Sequence, residues 1–343
     1  MIRSPHLLGG VFGIEFSLSG SKPPFLKDRC DFYLNARSAM WKVLVALQPP
    51  AVWMPSYLCE SMLDAPSLAG ANVKFYPINR QLRVENGSWI HDVRAGDVVI
   101  AVDYFGFPCT DEVLIDLKAR GAWILEDASQ ALLSTHVGGH ADMVVYSPRK
   151  FVGVPDAGIL HNINGPEIPF DPVLPPSDWW LKAFGACLLR RDYDLSSPSK
   201  DRAWFSLFKQ MEKDMPVGNY AASPLSISLL ESSIDWNLVA QKRRQNYQFL
   251  LSKLSAIALF KELPLDVVPL GFPIIHGERD RIRQALFSQN IYPPIHWELT
   301  DVVPGYFNDS HQISKEILTL ICDQRYDLED MERMITVVRG VVS

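Results

Sequence analysis

Three residues within one stretch, Asp127, Ser147 and Lys150, have the types and placement to act on a single ligand. They lie in WILEDASQALLSTHVGGHADMVVYSPRK (123–150), where two short apolar runs end abruptly in polar chemistry. Trp123-Ile124-Leu125 runs into Glu126-Asp127, and Met143-Val144-Val145-Tyr146 runs into Ser147-Pro148-Arg149-Lys150. Such runs read as strands buried on both faces. In an open α/β sheet the carboxyl ends of parallel strands share one edge, so groups placed just after different strands converge there. A carboxylate, a hydroxyl and a primary amine are thereby expected in one site.

The elements that must position them alternate between strand-like and helix-like patterns. NARSAMWKVLVAL carries Ala39, Met40, Val43, Leu44 and Leu47 on one helical face, with Asn35 or Ser38 as its cap, and its free N–H groups suit an anion. Strand-like runs follow at 52–54, 73–76, 98–102, 123–125, 143–146 and 158–160, with helical segments at about 59–69 and 111–120. This pattern predicts an α/β fold, a three-layer αβα domain around a mostly parallel sheet. Pro-, Ser- and Trp-rich residues 165–217 read as an insertion with a helix near 179–191. A helical stretch at 226–254 then leads into a smaller C-terminal α+β domain. The expected division is residues 1–225 for the large domain and 226–343 for the linking helix and small domain, with residues 1–30 irregular.

Composition sets the outer bounds. The chain has 343 residues, 48% hydrophobic and 21% charged, with a net charge of −6, which gives no reason to expect nucleic acid. Lys242-Arg243-Arg244 and Arg279, Arg281 and Arg283 read as solvated helix faces. Five cysteines lack the paired spacing of a zinc site or disulfide framework, and no apolar run reaches the length of a membrane span. A soluble cytoplasmic protein is the expectation.

Other chemistries lose on their motifs. There is no G-x-G-x-x-G, Walker loop or H-E-x-x-H. His136, His140 and Asp142 read as a polar hairpin turn around Gly138-Gly139 before they read as metal ligands, so no metal is assigned. Ser147-x-x-Lys150 matches the S-x-x-K of penicillin-binding proteins, yet the S-D-N and K-T-G partners are missing. Asp127 and Lys150 together suit pyridoxal phosphate, which needs a lysine amine for its aldehyde and a carboxylate for its ring nitrogen.

EDASQA and SPRK, with MPSYLCESMLDAPSLAGANVKFYPI, VDYFGFP and GNYAASPLSISLLESSIDWNLVAQKRRQNY, resemble the DegT/DnrJ/EryC1/StrS aminotransferases in that family's order. The resemblance spans about 35–339. It implies a fold type I pyridoxal-phosphate enzyme that moves an amino group, commonly from glutamate, to a keto-sugar that is usually nucleotide-linked. It also implies that Lys150 carries the cofactor covalently, that Asp127 faces the pyridine nitrogen and that Gln130 lies near the 3′ oxygen. Ser147 and the helix start Ala36-Arg37-Ser38 would hold the phosphate, and Tyr57 or Cys59 would cover a ring face, Tyr57 being the better stacker. Asn219 would reach the phosphate of a neighbouring subunit, which implies a homodimer with sites at the interface. Two departures stand out: Ala221 where the family has arginine, and Asp156-Ala157-Gly158 where it has Glu-Gly-Gly. They keep open a pyridoxal-phosphate enzyme of another reaction or substrate, and a non-catalytic ligand-binding member. A retained Lys150 speaks against the dehydratase branch in which histidine replaces lysine.

Overall fold

A computed structural model describes residues 6–342 except 16, 18, 19, 196–201 and 300. The middle of the expected 165–217 insertion thus lies outside the described residues. In chain order the strands are β1 (Leu8–Gly9), β2 (Cys30–Tyr33), β3 (Val52–Pro55), β4 (Val73–Tyr76), β5 (Val98–Val102), β6 (Trp123–Asp127), β7 (Met143–Tyr146), β8 (Gly158–Asn162), β9 (Phe272–Ile275), β10 (Ile291–Tyr292) and β11 (Ile317–Leu320). The helices are α1 (Ala36–Leu47), α2 (Asp64–Leu68), α3 (Trp89–Asp92), α4 (Val113–Ala119), α5 (Ser177–Leu195), α6 (Ala203–Lys213), α7 (Pro224–Ser232), α8 (Trp236–Leu254), α9 (Arg279–Ser288), α10 (Asn308–Glu316) and α11 (Leu328–Val342).

Seven strands form the central sheet in the order β2-β8-β7-β6-β5-β3-β4. β4, β3, β5, β6 and β7 run parallel, β8 is reversed, and β2, antiparallel to β8, closes that side in the direction of the other five. β3, β5 and β7 are buried at every residue, as strands covered by helices on both faces must be. The α/β expectation therefore holds, with the carboxyl ends of β6 and β7 on one edge. A second core holds Leu8, Tyr247, Phe272, Leu286, Leu320 and Met334. α8 links the two, with Trp236 and Val239 in the first core and Tyr247 and Leu250 in the second.

Several local expectations are corrected. β6 and β7 are parallel, so the segment around Gly138-Gly139 is part of a crossover and not a hairpin turn. Gly138, at φ +84°, donates its N–H to both oxygens of Glu126 at 3.0 Å. His136 lies near Asp266 while Asp142 pairs with Lys118 at 2.9 Å, so these side chains serve separate contacts. Two basic residues assigned to solvated faces are buried. Arg243 donates to the carbonyl oxygens of Phe151, Pro269 and Leu270, and Arg279 to those of Ser314 and Ile317. Residues 1–30 are not wholly irregular either, since β1 pairs with β10 and β2 with β8.

The N-terminal strap lies against the loop that follows β7. Glu15 donates its N–H to Gly153 O at 3.3 Å, and its carboxylate accepts from Gln324 Nε2 at 3.1 Å. Burial raises the Glu15 carboxyl to about 7, against the opposing pull of Arg325 and Arg243. Because the folded value lies above the unfolded one, the folded state binds the extra proton. Stability therefore falls as pH rises from 4.5 to about 7. Allowing for solvent near the half-buried side chain, the loss is roughly 1–2 kcal/mol. Denaturant midpoints measured at pH 5 and pH 8 should show it, and Glu15→Gln should flatten the difference; an unchanged slope in that variant would refute the assignment.

Candidate active site

The site is built on three chain segments. The first is the start of α1, where Asn35 caps the helix by accepting from Ser38 N at 2.9 Å. That bond engages the Ser38 amide and leaves the amides of Ala36 and Arg37 without an intrahelical acceptor. The second is the turn after β6. Asp127 Oδ1 accepts from Ser129 N at 2.9 Å, and Gln130 Oε1 accepts from Phe105 N at 2.7 Å. The Gln130 amide is thereby fixed, and its buried Nε2 has no partner among the described residues. The third is the turn Pro148–Lys150 after β7, closed by Lys150 N to Ser147 O at 3.1 Å and Phe151 N to Pro148 O at 2.8 Å. Arg243 and Gln324 hold the Phe151 carbonyl from behind at 3.1 and 2.7 Å.

These segments enclose a cavity of about 220 Å³ lined by Ala36, Arg37, Asp127, Gln130, Ser147 and Lys150. Cys59, Arg149, Glu212, His296 and Trp297 are also on its wall. A second cavity, of about 710 Å³, opens beyond Lys150, and Ser147, Arg149, Lys150, Glu212 and His296 line both.

Two sequence assignments move. Tyr57 does not line the smaller cavity; its hydroxyl donates to the His296 carbonyl and accepts from Trp297 N at 2.8 Å, so it braces the segment that does. Cys59, the other candidate, is on the wall. Ser38 is also behind the wall, with its Oγ accepting from Gly218 N at 3.3 Å, so Ala36 and Arg37 are the exposed part of the helix start. Asn219 lies outside this cavity and donates to the backbone and side chain of Asp171 at 3.0 and 3.2 Å.

Of the two departures at 156–158, Asp156 has a structural reason and Ala157 has none. Asp156 Oδ1 accepts from Ser223 N and Oγ, both at 3.1 Å, and so anchors the start of α7. A Cβ at Gly158 would lie 2.0 Å from the Asn35 carbonyl carbon, so the close approach of β8 to α1 requires glycine. Ala157 takes φ +116°, a region that favours glycine. Ala221 forms a bridge with Tyr33 on the edge strand. None of the four lines the 220 Å³ cavity.

Electrostatically the site joins the cations Arg37, Arg149 and Lys150 with two carboxylates, Asp127 and Glu212. Glu212, on α6, pairs with Arg149 Nη2 at 2.5 Å. Burial opposes its charge, yet Arg149, followed by Arg37 and Lys150, holds the carboxyl below its ordinary value. Arg37 pairs with Asp64 at 2.5 Å. Burial and the nearby Lys150 push His296 down to about 3, so the imidazole facing the site is neutral, with Nδ1 2.9 Å from Thr319 Oγ1. Behind Asp127, burial and then Glu126 raise the carboxyl of Asp103, which keeps its proton and shares it with Glu126. No local pattern marks Glu212 in the sequence: its neighbours in the site come from the turn after β7 and the start of α1, far from it along the chain.

The residues present fit pyridoxal phosphate. The unpartnered Gln130 Nε2 is a donor suited to the 3′ oxygen, the second oxygen of Asp127 is available to a protonated ring nitrogen, and the α1 start with Ser147 offers donors to a phosphate. No family model matches the sequence, and no curated protein matches it. Solved structures do match in three dimensions. NtdA from Bacillus subtilis with bound cofactor PMP aligns at TM-score 0.67 and 16% identity over 91% of this chain and 73% of that one. The PLP form of the putative sugar aminotransferase Spr1654 from Streptococcus pneumoniae gives 0.65 and 14% over 92% and 88%. Sugar aminotransferase CalS13 from Micromonospora echinospora gives 0.63 and 14% over 91% and 87%. The chain has the mixed α/β fold, with a mostly parallel central sheet, that these aminotransferases share.

Proposed function

We propose that this chain is a pyridoxal-phosphate-dependent aminotransferase that moves an amino group from an amino donor such as glutamate to a keto-sugar. The observation that carries the reading is the convergence of Lys150, Asp127 and the unpartnered Gln130 Nε2 on one 220 Å³ cavity at a helix start. Bound there, the cofactor supplies an aldehyde to receive the amino group and an electron-withdrawing ring.

The protein's own groups do the rest. Ala36, Arg37 and Ser147 hold the phosphate end, and Gln130 orients the ring oxygen. Asp127 keeps a proton on the ring nitrogen by charge-assisted hydrogen bonding. Lys150 Nζ is the base that takes the proton from the donor's carbon and returns it to the acceptor's. Arg149 and Glu212 neutralise each other beside it, and the neutral His296 adds no competing charge. The reading extends to a homodimer: Asn219, half-buried and clear of its own chain's cavity, would exchange its bonds to Asp171 for a partner's phosphate. The unpartnered Gln130 amide and the intact lysine favour turnover over ligand storage.

The test is spectroscopic. The purified protein with pyridoxal phosphate should develop a visible absorption band that glutamate bleaches and a keto-sugar restores. A band that no amino donor alters, or no band at all, would remove this reading.

A further inference from the structure

The larger cavity has walls that a polyhydroxylated ligand would not match. Its polar side chains are almost all committed to one another. Arg149 is paired with Glu212 at 2.5 Å and Arg325 with Asp323 at 2.9 Å, while Arg243 is taken up by backbone carbonyls. Thr319 is engaged with His296 at 2.9 Å, and no asparagine or glutamine lines the space. The remaining surface is largely aliphatic and aromatic, with Phe12, Trp204, Phe205 and Phe208 prominent.

Two cations are left over. Arg202 Nη2 donates to the Tyr292 hydroxyl at 3.1 Å and its guanidinium lies 5.0 Å from that ring. The Arg283 guanidinium lies 4.7 Å from the Phe287 ring, and the Phe287 and Tyr292 rings are 5.2 Å apart. Both arginines thus rest on one aromatic pair and both line the cavity. Among the described residues neither cavity-lining guanidinium pairs with a carboxylate across the cavity, and Arg283 Nε has no hydrogen-bond partner.

We propose that the keto-sugar sits at the mouth and that this cavity seats the part of the acceptor beyond it, an apolar or aryl body ending in an anionic group bound by Arg202 and Arg283. The word acceptor rests on the aminotransferase reading; the ligand site does not. The polar mouth around Ser147, Lys150 and His296 takes the reacting carbonyl end. The aromatic walls take the body, because desolvation there favours rings and aliphatic groups and leaves the edges of a nucleobase unpaired. The two guanidiniums then meet a phosphate, sulfonate or carboxylate.

The test uses anilinonaphthalene sulfonate, a flat aryl anion, in a fluorescence titration of the full chain with and without pyridoxal phosphate. One saturable site per chain is expected. Arg202→Gln and Arg283→Gln should each weaken it about tenfold, and Arg202→Lys and Arg283→Lys should retain most of the affinity. Uridine, which lacks an anionic group, should not displace the probe at equal concentration. Absence of a saturable site, equal binding by the glutamine variants, or displacement by uridine would each overturn the proposal. The cofactor's absorption band, read in the same samples, reports on the aminotransferase reading separately: an intact band without probe binding sinks only the cavity assignment, and the reverse result only the enzyme assignment.

Discussion

Lys150→Ala should lower the amino-transfer rate by about 10⁴-fold or more. Among the described residues Lys150 is the only lysine on the wall of the 220 Å³ cavity, and no histidine there is available to replace it. His296, the one imidazole nearby, is held down to about 3 by burial and by Lys150 itself. It is a poor base in the wild type, and removal of the lysine leaves the burial that depresses it. The phosphate donors at Ala36, Arg37 and Ser147 are untouched by the substitution. The variant should therefore still bind pyridoxal phosphate, more weakly and without the visible band. Single-turnover formation of the keto product from the amino donor is the measurement. A residual rate above about one per cent would show that another group moves the proton.

The second large effect is expected at Asp127. Asp127→Asn keeps the volume of the side chain and its bond to Ser129 N, but removes the charge that holds a proton on the ring nitrogen. A preorganised charge of this kind is worth about 10²–10³ in kcat, and KM for the amino donor should change far less. The variant should fold normally, since removing the Asp127 charge only relieves its repulsion of the neighbouring carboxyls Asp103 and Glu126. Paired measurement of kcat and cofactor affinity separates the two roles. A fall in affinity with kcat preserved would make Asp127 a binding residue only.

Both predictions rest on residues that were legible because chemistry and strand pattern coincide locally. β4, β5 and β7 are apolar runs whose ends are visible in the sequence, and the polar residues just beyond β6 and β7 are the ones that meet. Illegible were contacts that depend on long-range packing. β2, CDFY, is a half-exposed edge strand with no clean alternation, and its pairing with β8 alone reveals it. Tyr57 looked like a ring-stacking residue because the side chain is chemically suited; the turn after β3 instead buries it against His296 and Trp297. Arg243 sits in a basic run that resembles a solvated face, yet three carbonyls of two distant loops turn it inward. Glu212 arrives from an insertion whose two helices, α5 and α6, pack on each other.

The loop that carries Lys150 leaves the sheet at β7 and returns as its immediate antiparallel neighbour β8. It is therefore clamped at both feet, and Arg243, Gln324 and the strap at Glu15 hold it in the middle through Phe151 and Gly153. Its main chain has nowhere to swing. Any reach that a reaction demands must come from rotation about the four-carbon stem of Lys150. The protein thus works as a rigid vice with one articulated finger, and changes of acceptor would have to be made in the opposite wall.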